Sequence, residues 1–143
     1  MKILLVQPPV RDFYQTEIRI QPIGLAYLAA HLIREGFEAE ILDCQGSKKK
    51  LSLEIPEKFR FLDEYYHPTK KDPFKLFSHF YHFGLPYEQI EHIIAQSRSA
   101  AVGISAMFTP YIQEALAVAK IAKALDPYRP IVVGGAHVSS CAE

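Results

Sequence analysis

Few residues in this 143-residue chain are equipped for chemistry at a fixed point: two cysteines, Cys44 and Cys141, and six histidines. Two thiols so far apart in sequence make neither a disulfide framework nor a four-thiolate metal site, and they fit a reducing setting. His79 and His82 are separated by two residues and could share a helical face. Zinc takes four ligands, however, and only Cys44 and His67 lie near them in sequence, so a packed or solvated pair is expected over a metal site. The other candidates sit at the ends of hydrophobic runs. Ser105 follows Val102-Gly103-Ile104 and precedes Ala106-Met107, so its hydroxyl has little bulk beside it. Gly134-Gly135 follows Ile131-Val132-Val133 and removes two side chains at a second such end, and His137 lies just beyond. Each has an ordinary structural reading as a strand-end serine, a turn, or a loop histidine bonded to backbone. As a pair at neighbouring strand ends, Ser105 and Gly134-Gly135 would serve one bulky ligand, which requires those two strands to be adjacent.

The elements that must position these residues follow from apolar periodicity. Ile3–Val6 is a short β-branched and leucine run stopped by Gln7-Pro8-Pro9, as expected of a strand buried on both faces. A polar loop over 10–21 leads to Pro22 at a helix start, and Ile23, Leu25, Leu28, Leu32 and Ile33 recur at helical spacing until Gly36. Glu38–Cys44 is a second strand. A helix over 86–98, a strand over 100–104, a helix opened by Thr109 as N-cap with Pro110, and a strand over 130–133 complete the pattern. Four strands alternating with three helices predict an α/β, doubly wound, mainly parallel open sheet whose ligands sit at the carboxyl ends of the strands. Tyr111 and Gln113, at the start of the third helix, are read as surface positions, and Lys48-Lys49-Lys50 as a solvated charge run. Such sheets usually carry five strands, so truncation before a fifth is expected.

Several function classes are excluded. The first and third strands end in Gln7-Pro8-Pro9 and Ser105-Ala106-Met107, without the clustered aspartates of a phosphorelay receiver. No G-x-G-x-x-G follows the first strand and no G-x-x-x-x-G-K-[ST] occurs, so dinucleotides and nucleoside triphosphates lack their usual cradle. The loop over 10–21 is charged and aromatic, unlike a flavin phosphate loop. Sixteen Lys+Arg balance sixteen Asp+Glu, which leaves no field to gather nucleic acid. No run reaches 18 apolar residues, and the first hydrophobic stretch is too short for export, so a cytoplasmic protein with no membrane partner is expected.

Between Gly46 and Phe83 the composition shifts to eight Lys/Arg against five Asp/Glu, with nine of the seventeen aromatic residues. This is read as an insertion in a domain spanning 1–143, with short helices over 57–66 and 73–83. It forms either a minicore folded over the sheet edge or an interface through which the chain could oligomerise.

Lys2-Ile3-Leu4-Leu5-Val6-Gln7-Pro8-Pro9, Pro22-Ile23-Gly24-Leu25-Ala26-Tyr27-Leu28-Ala29, Val102-Gly103-Ile104-Ser105 and Val132-Val133-Gly134-Gly135-Ala136-His137, in that order, resemble the amino-terminal cobalamin-binding domain of cobalamin-dependent radical S-adenosylmethionine enzymes. The resemblance covers about residues 1–45 and 86–143. It implies a flavodoxin-like, Rossmann-like sheet holding a corrinoid over the strand ends, with the nucleotide tail threaded toward the sheet. Ser105-Ala106-Met107 would match the family's Ser-x-Leu element, and Gly134-Gly135 the Gly-Gly that makes room for the tail. Pro8, Pro9 and His137 would complete the cofactor-binding set.

Two departures qualify what the resemblance implies. Related cobalamin domains carry D-x-H-x-x-G after strand one, whose histidine binds cobalt, but residues 7–21 contain no histidine. Cobalamin held base-off without a histidine ligand, or weakly, is therefore expected. The radical reaction also needs a C-x-x-x-C-x-x-C triad for a [4Fe-4S] cluster, which Cys44 and Cys141 cannot make. The chain alone is expected to catalyse nothing. The cluster, S-adenosylmethionine and the radical domain would belong to a longer parent, in which the corrinoid often delivers a methyl group. The alternative is a relic of the fold that has lost the cofactor and serves as a substrate-recognition or protein-interaction domain.

Overall fold

The structure, a computed structural model, describes residues 1–13, 21–62 and 79–141. Strands β1 (Lys2–Gln7), β3 (Glu38–Asp43), β6 (Ala101–Ser105) and β7 (Ile131–Gly134) form a parallel sheet in the order β3-β1-β6-β7. These are the four strands expected from the sequence, and those ending in Ser105 and Gly134 are hydrogen-bonded neighbours. Strand order reverses between β1 and β6, which makes their carboxyl ends the switch point where doubly wound sheets open a crevice.

The helices are α1 (Ile23–Arg34), α2 (Tyr87–Ser97), α3 (Ile112–Leu125) and the short α4 (Ala136–Ser140). Side chains alternate across a strand, so each strand feeds two layers. Leu4 and Val6 of β1 and Val102 and Ile104 of β6 pack with Ile90 and Ile94 of α2 and Ala115, Val118 and Ala122 of α3. On the opposite face Leu5 meets Leu25 and Ala29 of α1, with Ala39 and Ile41 of β3 against them. Helix α1 covers β1 and β3. Ile23, Leu28 and Ile33 are 60%, 54% and 58% exposed, so the expected stripe on α1 is only partly packed. Val132 of β7, on the same face, is 65% exposed. No helix of the described residues is long and apolar enough to cross a membrane.

Two local expectations are corrected. Thr109 does not cap α3, because residues 109–111 form a 3-10 turn and the Thr109 hydroxyl bonds His137 instead. The insertion is not purely helical. Residues 57–62 form a 3-10 helix, but Phe80–Phe83 is a strand, β5, paired antiparallel with β2 (Val10–Asp12) and β4 (Lys50–Leu53). Residues 63–78, where the rest of the two expected helices falls, lie outside the described residues. An aromatic run between two available strand edges gains both sets of ladder bonds, which a single isolated helical turn cannot match. Phe13, Phe59 and Phe80 form a ring cluster with centroids 4.9 to 6.0 Å apart, in keeping with the minicore, one of the two readings of the insertion. Arg11 of β2 ties this sheet to the helical layer. Its guanidinium lies 5.0 Å from the Tyr87 ring centroid, and its Nε is 3.9 Å from Glu114 Oε1.

Candidate functional site

In a parallel sheet, register partners on neighbouring strands face the same way. The α1 face therefore presents two rows. Leu5 pairs with Gly103, and Gly103 with Val132; one step toward the carboxyl ends, beyond the Val6–Ile104 pair, come Gln7, Ser105 and Gly134. Side-chain volume falls along both rows as they leave the strip covered by α1. The result is a groove of about 570 Å³ between α1 and the bare half of the sheet, within the range of about 300–1,000 Å³ usual for small-molecule sites. Pro22, Ile23, Gly24 and Leu28 of α1 and its entry form one wall, and Met107 and Phe108, each 50% exposed, stand at the mouth.

Glycine explains why the groove is open. A side chain at Gly134 or Gly24 would meet nothing within 4 Å and would project into empty space. Gly135 differs. Its φ is +130°, and a Cβ there would lie 2.6 Å from the Ala106 carbonyl oxygen, so the fold itself demands glycine. Of the adjacent glycines singled out in the sequence, Gly134 shapes the groove and Gly135 permits the close approach of two loops.

Those loops are laced together. The Ala106 amide donates to the Gly134 carbonyl at 2.7 Å, and the His137 amide donates to the Ala106 carbonyl at 3.2 Å. Thr109 Oγ1 and His137 Nδ1 are hydrogen-bonded at 3.0 Å. Tyr111 is half-buried, not a surface residue, and its hydroxyl donates to Asp12 Oδ2 at 2.5 Å. Thus the segments after β1, β6 and β7 are held as one platform at the switch point.

The sequence candidates divide between two adjoining spaces. Ser105, Met107, Gly134 and Gly135 line the groove. Pro8, Pro9 and Ala106 line a smaller crevice over the β1–β6 boundary, together with Ser105, Met107, Gln45 and Tyr111. Ala106 also packs into the α2–α3 core. His137 lines neither space and is engaged by Thr109. Gln7, Gly24, Gly103 and Val132 were not singled out by sequence reasoning, although the period-two alternation of β1 and β6 already places Gln7 and Gly103 on one face.

Polar groups are sparse here. Gln7 is 8% exposed and lines both spaces. In the crevice Gln45 Nε2 donates to the Pro8 carbonyl at 2.8 Å, while its Oε1 is buried without a partner.

The groups with shifted acidities lie elsewhere. Burial pushes the Cys44 thiol up to about 12, with the Asp43 charge adding to the effect. Burial likewise raises the carboxyl of Glu114, against the pull of Arg11, and raises the Tyr87 phenol. His82 is lowered by burial, while its Nε2 pairs with the Leu85 carbonyl at 2.8 Å. None of these four lines the groove. Among the described residues no group of three His, Cys, Asp or Glu is placed to hold a metal ion, and His82 points into the protein rather than toward His79. The arrangement is therefore equipped for binding: a long apolar slot, two polar side chains near the carboxyl ends of the strands and a rigid rim.

Comparison with known proteins bears on what is bound. Residues 77–143, from β5 through α4, match the B12 binding domain family. Over 137 residues, 95% of the chain, the sequence is 28% identical to cytidylyl-2-hydroxyethylphosphonate methyltransferase from Streptomyces wedmorensis, of which the chain spans 22%. No solved structure matches. The likeness to cobalamin-binding domains, carried in the sequence by short motifs at both ends, is thus found again in a B12 binding domain match over the second half of the chain and in a methyltransferase relative aligned along nearly all of it.

Proposed function

We propose that this chain is a corrinoid-binding module of a longer radical S-adenosylmethionine enzyme, with the nucleotide tail of cobalamin in the groove and the macrocycle over the carboxyl ends of β1, β6 and β7. The observation that carries this reading is the groove itself, an apolar slot left open at Gly24 and Gly134, with Gln7 and Ser105 on its row nearest the carboxyl ends of the strands. A flat base with apolar faces and a polar edge matches such a slot. The residues present fit the group: small side chains clear its path, Met107 and Phe108 offer apolar contact at the mouth, and the laced platform holds the rim in place.

When bound, a corrinoid supplies a cobalt centre able to carry a methyl group. The chain's own part is to bind it, orient it and exclude water from the tail. Residues 7–21 offer no imidazole, and His137 Nδ1 is engaged by Thr109, which supports base-off binding without a histidine ligand. The [4Fe-4S] cluster, S-adenosylmethionine and methyl transfer belong in this proposal to the parent protein, in the cytoplasm. The methyltransferase relative, of which the chain spans 22%, supports the methyl-transfer part of this proposal.

Titration with hydroxocobalamin, followed by desalting and a visible spectrum, tests the reading. Retained corrinoid with a base-off spectrum is expected. A protein that stays folded and retains none would instead favour the cofactor-less interaction domain.

A further inference from the structure

Phe108 stands at the mouth of the groove, 50% exposed, and lines both the groove and the smaller crevice. Its ring neighbour among the described residues is Tyr111, edge-on, with centroids 6.2 Å apart and planes at 79°. The Tyr111 ring is anchored at its far end, where the hydroxyl donates to Asp12 Oδ2 at 2.5 Å. Asp12 is held in turn. Its Oδ1 accepts from the Phe13 amide at 2.7 Å, and its backbone sits opposite Tyr81 in the β2–β5 ladder. A continuous line of contacts therefore runs from the aromatic-rich insertion, through β2 and Tyr111, to the rim of a groove that belongs to the other sheet.

A half-exposed phenylalanine beside an apolar groove is drawn toward it. Turned inward, the Phe108 ring would cover part of the groove lining and remove apolar area on both from water. Area burial alone favours that closure, so the open position depends on an opposing contact. The edge-on packing against Tyr111 supplies one, and it holds only while Tyr111 cannot follow Phe108 inward. A short hydrogen bond from the phenol to a carboxylate, itself fixed in the second sheet, prevents this.

We propose that Tyr111, anchored by Asp12, is a positioning residue that keeps the Phe108 ring at the rim of the groove and off its opening, so that the antiparallel sheet of the insertion governs access to the open face of the parallel sheet. The inference goes beyond the corrinoid reading by giving the insertion a part in binding, and it rests on that reading only for the identity of the ligand. Tyr111 and Asp12 act through Phe108. When the anchor is cut, only the fraction of molecules with the rim open can bind, which slows association and lowers apparent affinity in proportion, while a ligand already bound leaves at the same rate.

The test uses the 143-residue chain and the variants Tyr111→Phe, Asp12→Ala and Phe108→Ala, each checked for fold by circular dichroism, with hydroxocobalamin and the apolar dye 1-anilinonaphthalene-8-sulfonate as probes. Tyr111→Phe is expected to raise the Kd for hydroxocobalamin about tenfold through slower association, with a dissociation rate within about twofold of wild type. Asp12→Ala should do the same, and the two together should lose no more than about what either loses alone, because they cut one contact. In a Phe108→Ala background Tyr111→Phe should change the Kd less than about twofold, since the ring it releases is gone. A residue that merely supports the fold would keep its effect there. If wild type binds hydroxocobalamin and Tyr111→Phe binds it equally, the positioning role is overturned and the corrinoid reading stands. A loss that lies in faster dissociation, or that persists undiminished in the Phe108→Ala background, also overturns it. Should wild type retain no hydroxocobalamin, the corrinoid reading fails and the dye decides the rim. Dye uptake lowered by Tyr111→Phe and restored by adding Phe108→Ala upholds the positioning role, while uptake that is unchanged, or absent from wild type, overturns it.

Discussion

The two faces of the parallel sheet are built from the same strands and differ in what was left out. On the α2–α3 face, Leu4, Val6, Val102 and Ile104 alternate with helix side chains, and all four are buried. On the α1 face the rows read Leu5, Gly103, Val132 and Gln7, Ser105, Gly134, and beyond the strip covered by α1 nothing among the described residues fills the space. A face whose side chains fill the gap to the next layer is a core, while a face whose volume falls from strand to strand is a container. Open volume lined by glycine, more than any reactive residue, marks the binding surface proposed for this chain.

The contrast predicts opposite responses to substitution. Ile90→Ala, on the closed face, should cost about 2–5 kcal/mol in urea unfolding, because the tight layer cannot collapse around the lost volume. A loss well under 1 kcal/mol would show that this face is not the core.

Cys44 probes the closed side by pH. The unfolded chain releases the thiol proton near 9.0, whereas burial holds it to about 12 in the folded protein. Stability is thus unaffected below pH 9 and falls as pH rises through this window, by up to about 4 kcal/mol at its upper end. Cys44→Ala should unfold with a visibly flatter alkaline slope, and an unchanged slope would remove Cys44 as its source. Exposed Cys141 should react with a thiol reagent in the native protein and Cys44 should not.

The adjacent glycines sharpen the comparison within one turn. Gly135→Ala is expected to lose about 1–3 kcal/mol, since its backbone is left-handed and Ala106 blocks the added carbon. Gly134→Ala should stay within about 0.5 kcal/mol of wild type. Equal losses at both positions would mean that the groove is not open at Gly134. On α1 the sign reverses: Gly24→Ala should stabilise the protein by about 0.5–1 kcal/mol, as for a helical glycine facing empty space.

Much of the main sheet is legible in the sequence because its strands are short apolar runs bounded by proline, glycine or serine, and the long helices repeat at helical spacing. The insertion is not legible in the same way. Phe80–Phe83 is a strand only because β2 and β4 lie on either side of it, a long-range pairing that local pattern does not carry. Thr109 has the residue type of a cap, and a partner 28 positions away claims its hydroxyl. Ser105 and Gly134 are readable as strand ends. The role of Gly135 depends on Ala106 reaching it through space, which sequence spacing does not express.

The central claim is that the open face receives the tail of a corrinoid, and Gly134→Leu tests it most directly, because a carbon added at Gly134 meets no protein atom within 4 Å and the side chain extends from there into the groove. The measurement is the Kd for hydroxocobalamin of this variant relative to wild type, with circular dichroism confirming the same fold. The account predicts a rise of at least a hundredfold. A wild-type Kd with the groove filled would contradict it.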